Sequence, residues 1–160
     1  MQHGVKSIDH KWGAMDDEVW AKIILMEKTT ILGKAYIRSP VFIVDGSDSG
    51  FDGRKVGVNG FRRQEEDRES LLCKTLLEEG CRLKLTQNGD ILIKRDDNLN
   101  IFLYKSKSSC CSDVVAKLPY GLIQQDKTYK LFDMKKFQAL LSEELQREEV
   151  DWSGLEQQVQ

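Results

Sequence analysis

Cys81-Arg82-Leu83-Lys84-Leu85 alternates apolar and basic residues with a period of two, Gln87-Asn88-Gly89-Asp90 follows, and Ile91-Leu92-Ile93-Lys94 resumes the apolar run. Successive side chains of a strand point to opposite faces, so the first run gives one apolar and one charged face. An Asn-Gly pair between two such runs is a strong local hairpin signal. The stretch therefore predicts two antiparallel strands joined by a tight turn.

The same texture extends upstream. Lys22–Met26 reads as a strand, Thr29–Leu32 as a turn and Lys34–Ile37 as the returning strand. Pro40 separates it from Val41–Val44, a short apolar run ended by Asp45-Gly46, and Ser47–Gly53 is turn chemistry throughout. Lys55–Val58 resumes a strand. Arg62–Glu79 predicts a helix whose first half is charged and solvated. Its second half sets Leu72, Cys73, Leu76 and Leu77 on one face, with Gly80 as the stop. Downstream, Asp96-Asp97-Asn98 turns into Ile101–Tyr104, apolar on both faces and hence expected to be a covered strand. Lys105–Asp113 reads as a loop, and Val114–Leu118 and Tyr129–Phe132 as strands. Asp133 is a good N-cap for a second helix carrying the stripe Phe137, Leu140, Leu141 and Leu145. Residues 1–19 form an amino-terminal extension, with Ile8, Trp12, Met15 and Val19 at helical spacing. Trp12, Trp20 and Trp152 are expected as core or end-cap aromatics. Many short strands with one helix in the middle and one near the end predict a mainly β fold, an antiparallel β-sandwich with helical caps.

Composition narrows the function classes. The chain has 160 residues, 40% hydrophobic and 31% charged, with a formal net charge of −2. Such a length suits one domain that buries about 70% of its unfolded surface. No apolar run approaches the ~18 residues that a membrane helix needs. The near-neutral balance argues against direct nucleic-acid binding, which favours a basic excess. Met1–Lys6 shows neither an apolar stretch nor a cleavage site, and Cys73, Cys81, Cys110 and Cys111 form no C-x-x-C pair. Reduced thiols in an intracellular protein, cytoplasmic with the nucleus left open, are the expectation.

Catalytic signatures are missing. The sequence holds no nucleophile elbow, phosphate loop, metalloprotease helix or dinucleotide fingerprint, and its only histidines, His3 and His10, lie in the amino-terminal arm. Asp45, Asp48 and Asp52 lack the spacing and closing Glu of a calcium loop and read as a solvated hairpin loop. No enzyme activity, metal or cofactor is therefore expected. Arg62-Arg63 and the lysines Lys105, Lys107 and Lys117 have the chemistry to hold a phosphate or carboxylate, or to be ordinary solvated cations. Cys110 and Cys111 read as inert loop thiols.

In order and spacing, several segments resemble the MAD-homology 2 domain of the Smad family. They are Trp20-Ala21-Lys22-Ile23-Ile24-Leu25-Met26-Glu27, then Gly33, Val44-Asp45-Gly46 and Arg54-Lys55-Val56-Gly57. Glu79-Gly80-Cys81-Arg82-Leu83 continues the match. It is strongest at Ala116-Lys117-Leu118-Pro119 and at Tyr129-Lys130-Leu131-Phe132-Asp133 followed by Phe137-Gln138-Ala139-Leu140-Leu141. The resemblance covers about residues 20–159 of a domain expected to span 20–160, stopping short of the family's last strands and final helix and of the Ser-x-Ser tail of receptor-activated Smads. It implies a two-sheet sandwich of the Smad and forkhead-associated type that binds other proteins without catalysis. It also implies that Asp45 and Arg54 lie at a subunit or partner interface, and that Lys117 belongs to a basic surface receiving a phosphorylated serine tail. The departures favour a scaffold outside receptor-regulated Smad signalling. The alternative is a phosphoserine-dependent oligomerising transducer or transcription cofactor that binds phosphoserine peptides. Monomer and trimer both stay open.

Overall fold

The computed structural model describes residues 19–61, 67–96, 98–104, 110, 115 and 117–157, the last ten as backbone. The expected helix in 1–19, Trp12, Arg62-Arg63, Lys105, Lys107 and Cys111 lie outside the described residues. Two strands, β1 (Ala21–Glu27) and β2 (Thr30–Ile37), form an antiparallel ribbon. A second sheet holds β3 (Val41–Asp45), β4 (Lys55–Gly57), β5 (Cys81–Leu85), β6 (Ile91–Arg95) and β7 (Thr128–Phe132) in the order β4-β3-β5-β6-β7. Helix α1 (Arg68–Leu76) precedes β5, and α2 (Met134–Gln157) follows β7. Among the described residues the protein is a mainly β sandwich with two long α-helices, as its strand pattern predicts. Among these seven strands the pairings are antiparallel except β3 with β4, which is parallel.

Period two decides where the core lies. Phe42 pairs with Leu83, Leu83 with Ile93 and Ile93 with Tyr129, so one inward row crosses four strands. Phe42, Ile93 and Tyr129 are buried along it. Ile37, Phe42 and Val56 close the sandwich with Trp20, Ala21 and Ile23 from the ribbon side, while Ile93, Val115, Ile123 and Tyr129 fill the other end. Leu83 packs against both groups. The Trp20 indole donates to the Ser39 carbonyl at 2.8 Å, which suits an end-cap aromatic.

The β5–β6 connection differs in detail from an Asn-Gly two-residue turn. Thr86 donates to Asp90 and Gly89 to Thr86, giving a three-residue loop with only Gly89 (φ +81) left-handed. A Cβ on Gly89 would sit 2.7 Å from the Met134 side chain, so this glycine also lets α2 start against the hairpin. Asp90 completes that joint. Its carboxylate accepts from the Met134 amide at 3.0 Å and lies 2.8 Å from Lys130 Nζ. Asp133 caps α2 as expected, accepting from the Lys136 amide.

Four expectations are corrected. The β1–β2 turn occupies Lys28 and Thr29 alone, with Lys28 left-handed, and Thr30 is already in β2. Helix α1 is shorter than Arg62–Glu79: Asp67 caps it and Leu77 leaves it with extended geometry. The exit is dictated from outside the helix, because the Glu78 carbonyl receives the Gly46 amide and the chain must run beside β3. Ile101–Tyr104 is no covered strand; it alternates, with Ile101 and Leu103 packed on the core and Phe102 and Tyr104 exposed. Val115 has helical backbone and Lys117 lies in a turn, so this part of Val114–Leu118 is not a strand. Apolar composition alone could not separate a strand from a buried helical turn here.

Gly80 reaches φ +63, and a Cβ there would stand 1.9 Å from the Val44 carbonyl oxygen. Gly80→Ala combines left-handed strain with a backbone collision. It should lower unfolding free energy by about 2 kcal/mol or more in urea denaturation. An unchanged midpoint would show that the α1–β5 joint can move aside.

Candidate interaction surface

A parallel β3–β4 pair needs a connection that turns the chain fully round. Residues 46–54 do so with carboxylates in place of regular structure. Asp45 Oδ1 accepts from the Ser47 amide at 3.0 Å and from its hydroxyl at 2.6 Å, and the Ser47 and Ser49 hydroxyls are 2.7 Å apart. Asp52 Oδ1 accepts from the amides of Arg54 and Lys55 at 2.9 and 2.8 Å. Those two amides, Arg54 first, hold the Asp52 carboxyl below its usual range. Phe51 stacks obliquely on buried Phe42, with centroids 6.1 Å apart, and so clamps the loop to the sheet. Asp45 also stands 3.8 Å from Lys55 Nζ, and Arg54 is exposed at the loop's end. Asp45 and Arg54 thus share one rigid loop system. Lys117, also exposed, lies instead beside Val115, whose side chain packs with β6 and β7. The chain does not gather the three expected site residues around a single element. The calcium reading gains nothing, since Asp45 and Asp52 spend their carboxylates on this loop. No group of three or more metal-ligating side chains occurs among the described residues.

Sequence inspection missed the joint behind this loop. Lys74 Nζ lies 2.8 Å from Glu27, both side chains 7% exposed, and also donates to the Phe61 carbonyl at 3.1 Å. The Asn59 side-chain amide donates to the Gly46 and Lys74 carbonyls. One lysine therefore ties α1 to the ribbon end and to the short 3₁₀ turn after β4. The signal was present: Ile23 and Leu25 point inward, and continuing by two places Glu27 inward as well. Beside the pair, a groove of about 360 Å³ runs between the ribbon end and α1, lined by Leu25, Met26, Leu32, Val58, Cys73 and Leu77. At its rim Asp67 accepts from the Glu69 and Ser70 amides and pairs with Lys28 at 2.8 Å. Lys28, with help from the Ser70 amide, holds the Asp67 carboxyl far below its usual range, and Asp67 in turn raises Lys28.

At the opposite end, Leu103 donates to the Gly121 carbonyl and Ile123 to that of Ile101. This pairing turns Phe102 and Tyr104 outward, and Tyr120, held at φ +52, is exposed as well. Burial pushes the Cys81 thiol up to about 11, so it is a packing residue rather than a nucleophile.

Comparison with known proteins follows the same outline. The MH2 domain family matches residues 18–158. No curated protein sequence matches the chain. Among solved structures, the chain is similar to the interferon regulatory factor 9 IAD domain, at 16% identity and a TM-score of 0.54, over 78% of this chain and 60% of that one. A structure of STAT2 in complex with IRF9 gives the same TM-score at 17% identity, over 78% of this chain and 69% of the other. The likeness is one of fold, and the chain spans three fifths of the first of these relatives.

Two outcomes test the joint. Removing one partner of a buried ion pair strands the other charge, so Lys74→Ala should cost about 3–5 kcal/mol in chemical denaturation. The double variant Glu27→Leu/Lys74→Met should recover part of that loss; a double variant no more stable than Lys74→Ala would refute the pair as its cause. Asp67 has a depressed folded pKa, so its stabilisation is complete above the ordinary carboxylate value of about 4 and is lost as pH falls through the folded value. Lys28 has the opposite sign, contributing below its ordinary pKa and losing the contribution as pH rises through its raised value. Melting temperature should therefore fall below about pH 4, and more shallowly in Asp67→Ala.

Proposed function

The chain belongs to the MH2 domain family, and from that premise we propose that this interaction domain is a non-catalytic scaffold for other proteins, outside receptor-regulated Smad signalling. The observation that carries the reading is the β3–β4 loop. Its backbone is tied down by Asp45 and Asp52, and it presents exposed Arg54 on a rigid base. A preorganised loop loses little conformational freedom on binding, and Arg is the cation best suited to pair a partner's carboxylate. Arg54 is the direct contact, and Asp45 fixes the loop and offers its second oxygen beside Lys55. The exposed aromatics Phe102, Tyr104 and Tyr120 supply the side-chain type that dominates binding energy at protein interfaces. One similar structure is that of STAT2 in complex with IRF9, which supports a protein as the partner. Among the described residues no helix is long and apolar enough to cross a membrane. The reading places the domain inside the cell, in the cytoplasm with the nucleus open, without direct contact to nucleic acid.

A second reading rests on Lys117, exposed in a turn just before Leu118-Pro119. There the domain is a phosphoserine-dependent transducer or transcription cofactor, with Lys117 receiving the phosphate and the Asp45–Arg54 loop joining subunits of a trimer.

Calorimetric titration with a phosphoserine peptide, paired with light scattering, separates the two. The scaffold predicts no binding heat and no trimer at any concentration. Heat that disappears in Lys117→Ala, with a trimer that dissociates in Arg54→Ala, would establish the transducer instead.

A further inference from the structure

Arg95 is the last residue of β6, and the alternation of that strand turns it inward with Ile93 while Lys94 faces out. Its backbone is fixed on both sides. Cys81 is its partner in β5, a parallel bridge joins it to Gln125, and the Asp126 amide donates to its carbonyl at 3.2 Å. The residue is only 8% exposed. Arginine stays charged at any ordinary pH, and burying a charge is costly unless it is paired.

The pairing within the chain is partial. Nη1 donates to the Asn100 side-chain oxygen at 3.0 Å and to the Leu99 carbonyl at 3.5 Å, both neutral acceptors. Nε is buried and has no acceptor among the described residues. Nor does any carboxylate among them pair with the group. Asp96, next in the chain, lies 3.2 Å from Arg82 and from Lys94, which face outward, and Asp126 pairs with Lys94. Asp97 lies outside the described residues. With Nη1 engaged, Nε and Nη2 remain, two adjacent donors with parallel N–H bonds. That side of a guanidinium matches the two oxygens of a carboxylate.

Charge selects the anion. Strands β5 and β6 turn Cys81, Leu83, Ile93 and Arg95 inward, so no second cation from these strands joins Arg95. One carboxylate balances one guanidinium, whereas a phosphate dianion would leave a surplus charge in a poorly solvated site. We propose that Arg95 is the centre of a carboxylate-binding site. Its Nε–H and Nη2–H hold the two oxygens of one monoanion, while Asn100 and Leu99 fix the guanidinium through Nη1. So enclosed a group admits a small free acid or the carboxylate at the end of a peptide. The site is separate from the Asp45–Arg54 loop and does not depend on what that loop binds.

The test follows the arginine Nε–H resonances by heteronuclear NMR during titration with sodium acetate at neutral pH, replacing sodium chloride at constant ionic strength. The expected result is a saturable shift of one Nε–H signal, a signal absent from Arg95→Lys. In parallel urea denaturation, each tenfold rise in acetate above its dissociation constant should raise the folding constant about tenfold. Arg95→Lys keeps the charge without the fork and should bind acetate about tenfold more weakly; Arg95→Met should not respond. Phosphate should bind more weakly than acetate. A short peptide with a free carboxyl terminus, beside its amide, separates the two sources. Tighter binding than acetate by the acid form alone assigns a peptide terminus, and binding no tighter assigns a small acid. A spectrum indifferent to acetate, a response kept in Arg95→Met, or phosphate bound more tightly than acetate would overturn the proposal. So would acetate binding that appears only in Asp97→Asn, which would assign the fork to the chain's own carboxylate.

Discussion

One row of side chains, Phe42, Leu83, Ile93 and Tyr129, crosses β3, β5, β6 and β7, and the rest of the structure hangs from it. Because strand side chains repeat every two residues, a one-residue slip in any of these strands would turn its inward set to solvent. The row therefore sets the register of four of the sheet's five strands. The next row, Val56, Val44, Cys81 and Arg95, runs toward the end where the β3–β4 loop begins. Leu83 touches both apolar groups, so the two ends of the sandwich share one strand as their common support.

Charged groups finish what this core begins. Lys74 and Glu27 occupy the seam between ribbon and α1, 2.8 Å apart with both side chains buried. The ammonium also caps the Phe61 carbonyl, so its geometry is set from more than one side. Arg95 does comparable work at the far end: buried, it donates to the Asn100 side chain at 3.0 Å and anchors the chain after β6. Asp90 joins the hairpin loop to the start of α2 over a separation of 44 residues. Of these contacts, the one from Arg95 pins an irregular segment to regular structure, and that segment carries the exposed Phe102 and Tyr104.

How much of this was legible follows from range. Local signals held: the alternation in Cys81–Leu85, the short runs that became β1 to β3, and Asp133 as a cap. Local signals failed where a distant contact overrode them. Gly80 marks a stop, yet the helix ends before it: the chain leaves α1 at Leu77, where the Gly46 amide donates to the Glu78 carbonyl. Ile101–Tyr104 looks covered because all four residues are apolar, yet only Ile101 and Leu103 find a core. Of the site, the loop around Asp45 was visible as turn chemistry and through its family resemblance, but Asp45's bonds to Ser47 were not. Lys74 sits in the half of the helix read as apolar on the Leu72, Cys73, Leu76 and Leu77 face, and only Glu27, placed inward by period two, hints at a buried charged partner.

The same division explains why a domain with a small buried core shows so much apolar surface. Leu71, Leu72 and Leu76 on α1, Ile24, Met26, Ile31 and Tyr36 on the ribbon, and the stripe on α2 all remain exposed. Scattered singly such residues need no explanation, but runs of them on three elements mark surfaces meant to be covered. Their cover is not needed to hold the sheet, because the inward row and the charged seams set register and orientation without it. A fold that is fixed internally can leave its outer faces to partners, since losing a partner exposes surface without releasing the strands. That independence is the physical condition for an interaction domain, and here it is met by a few inward residues rather than by a thick core.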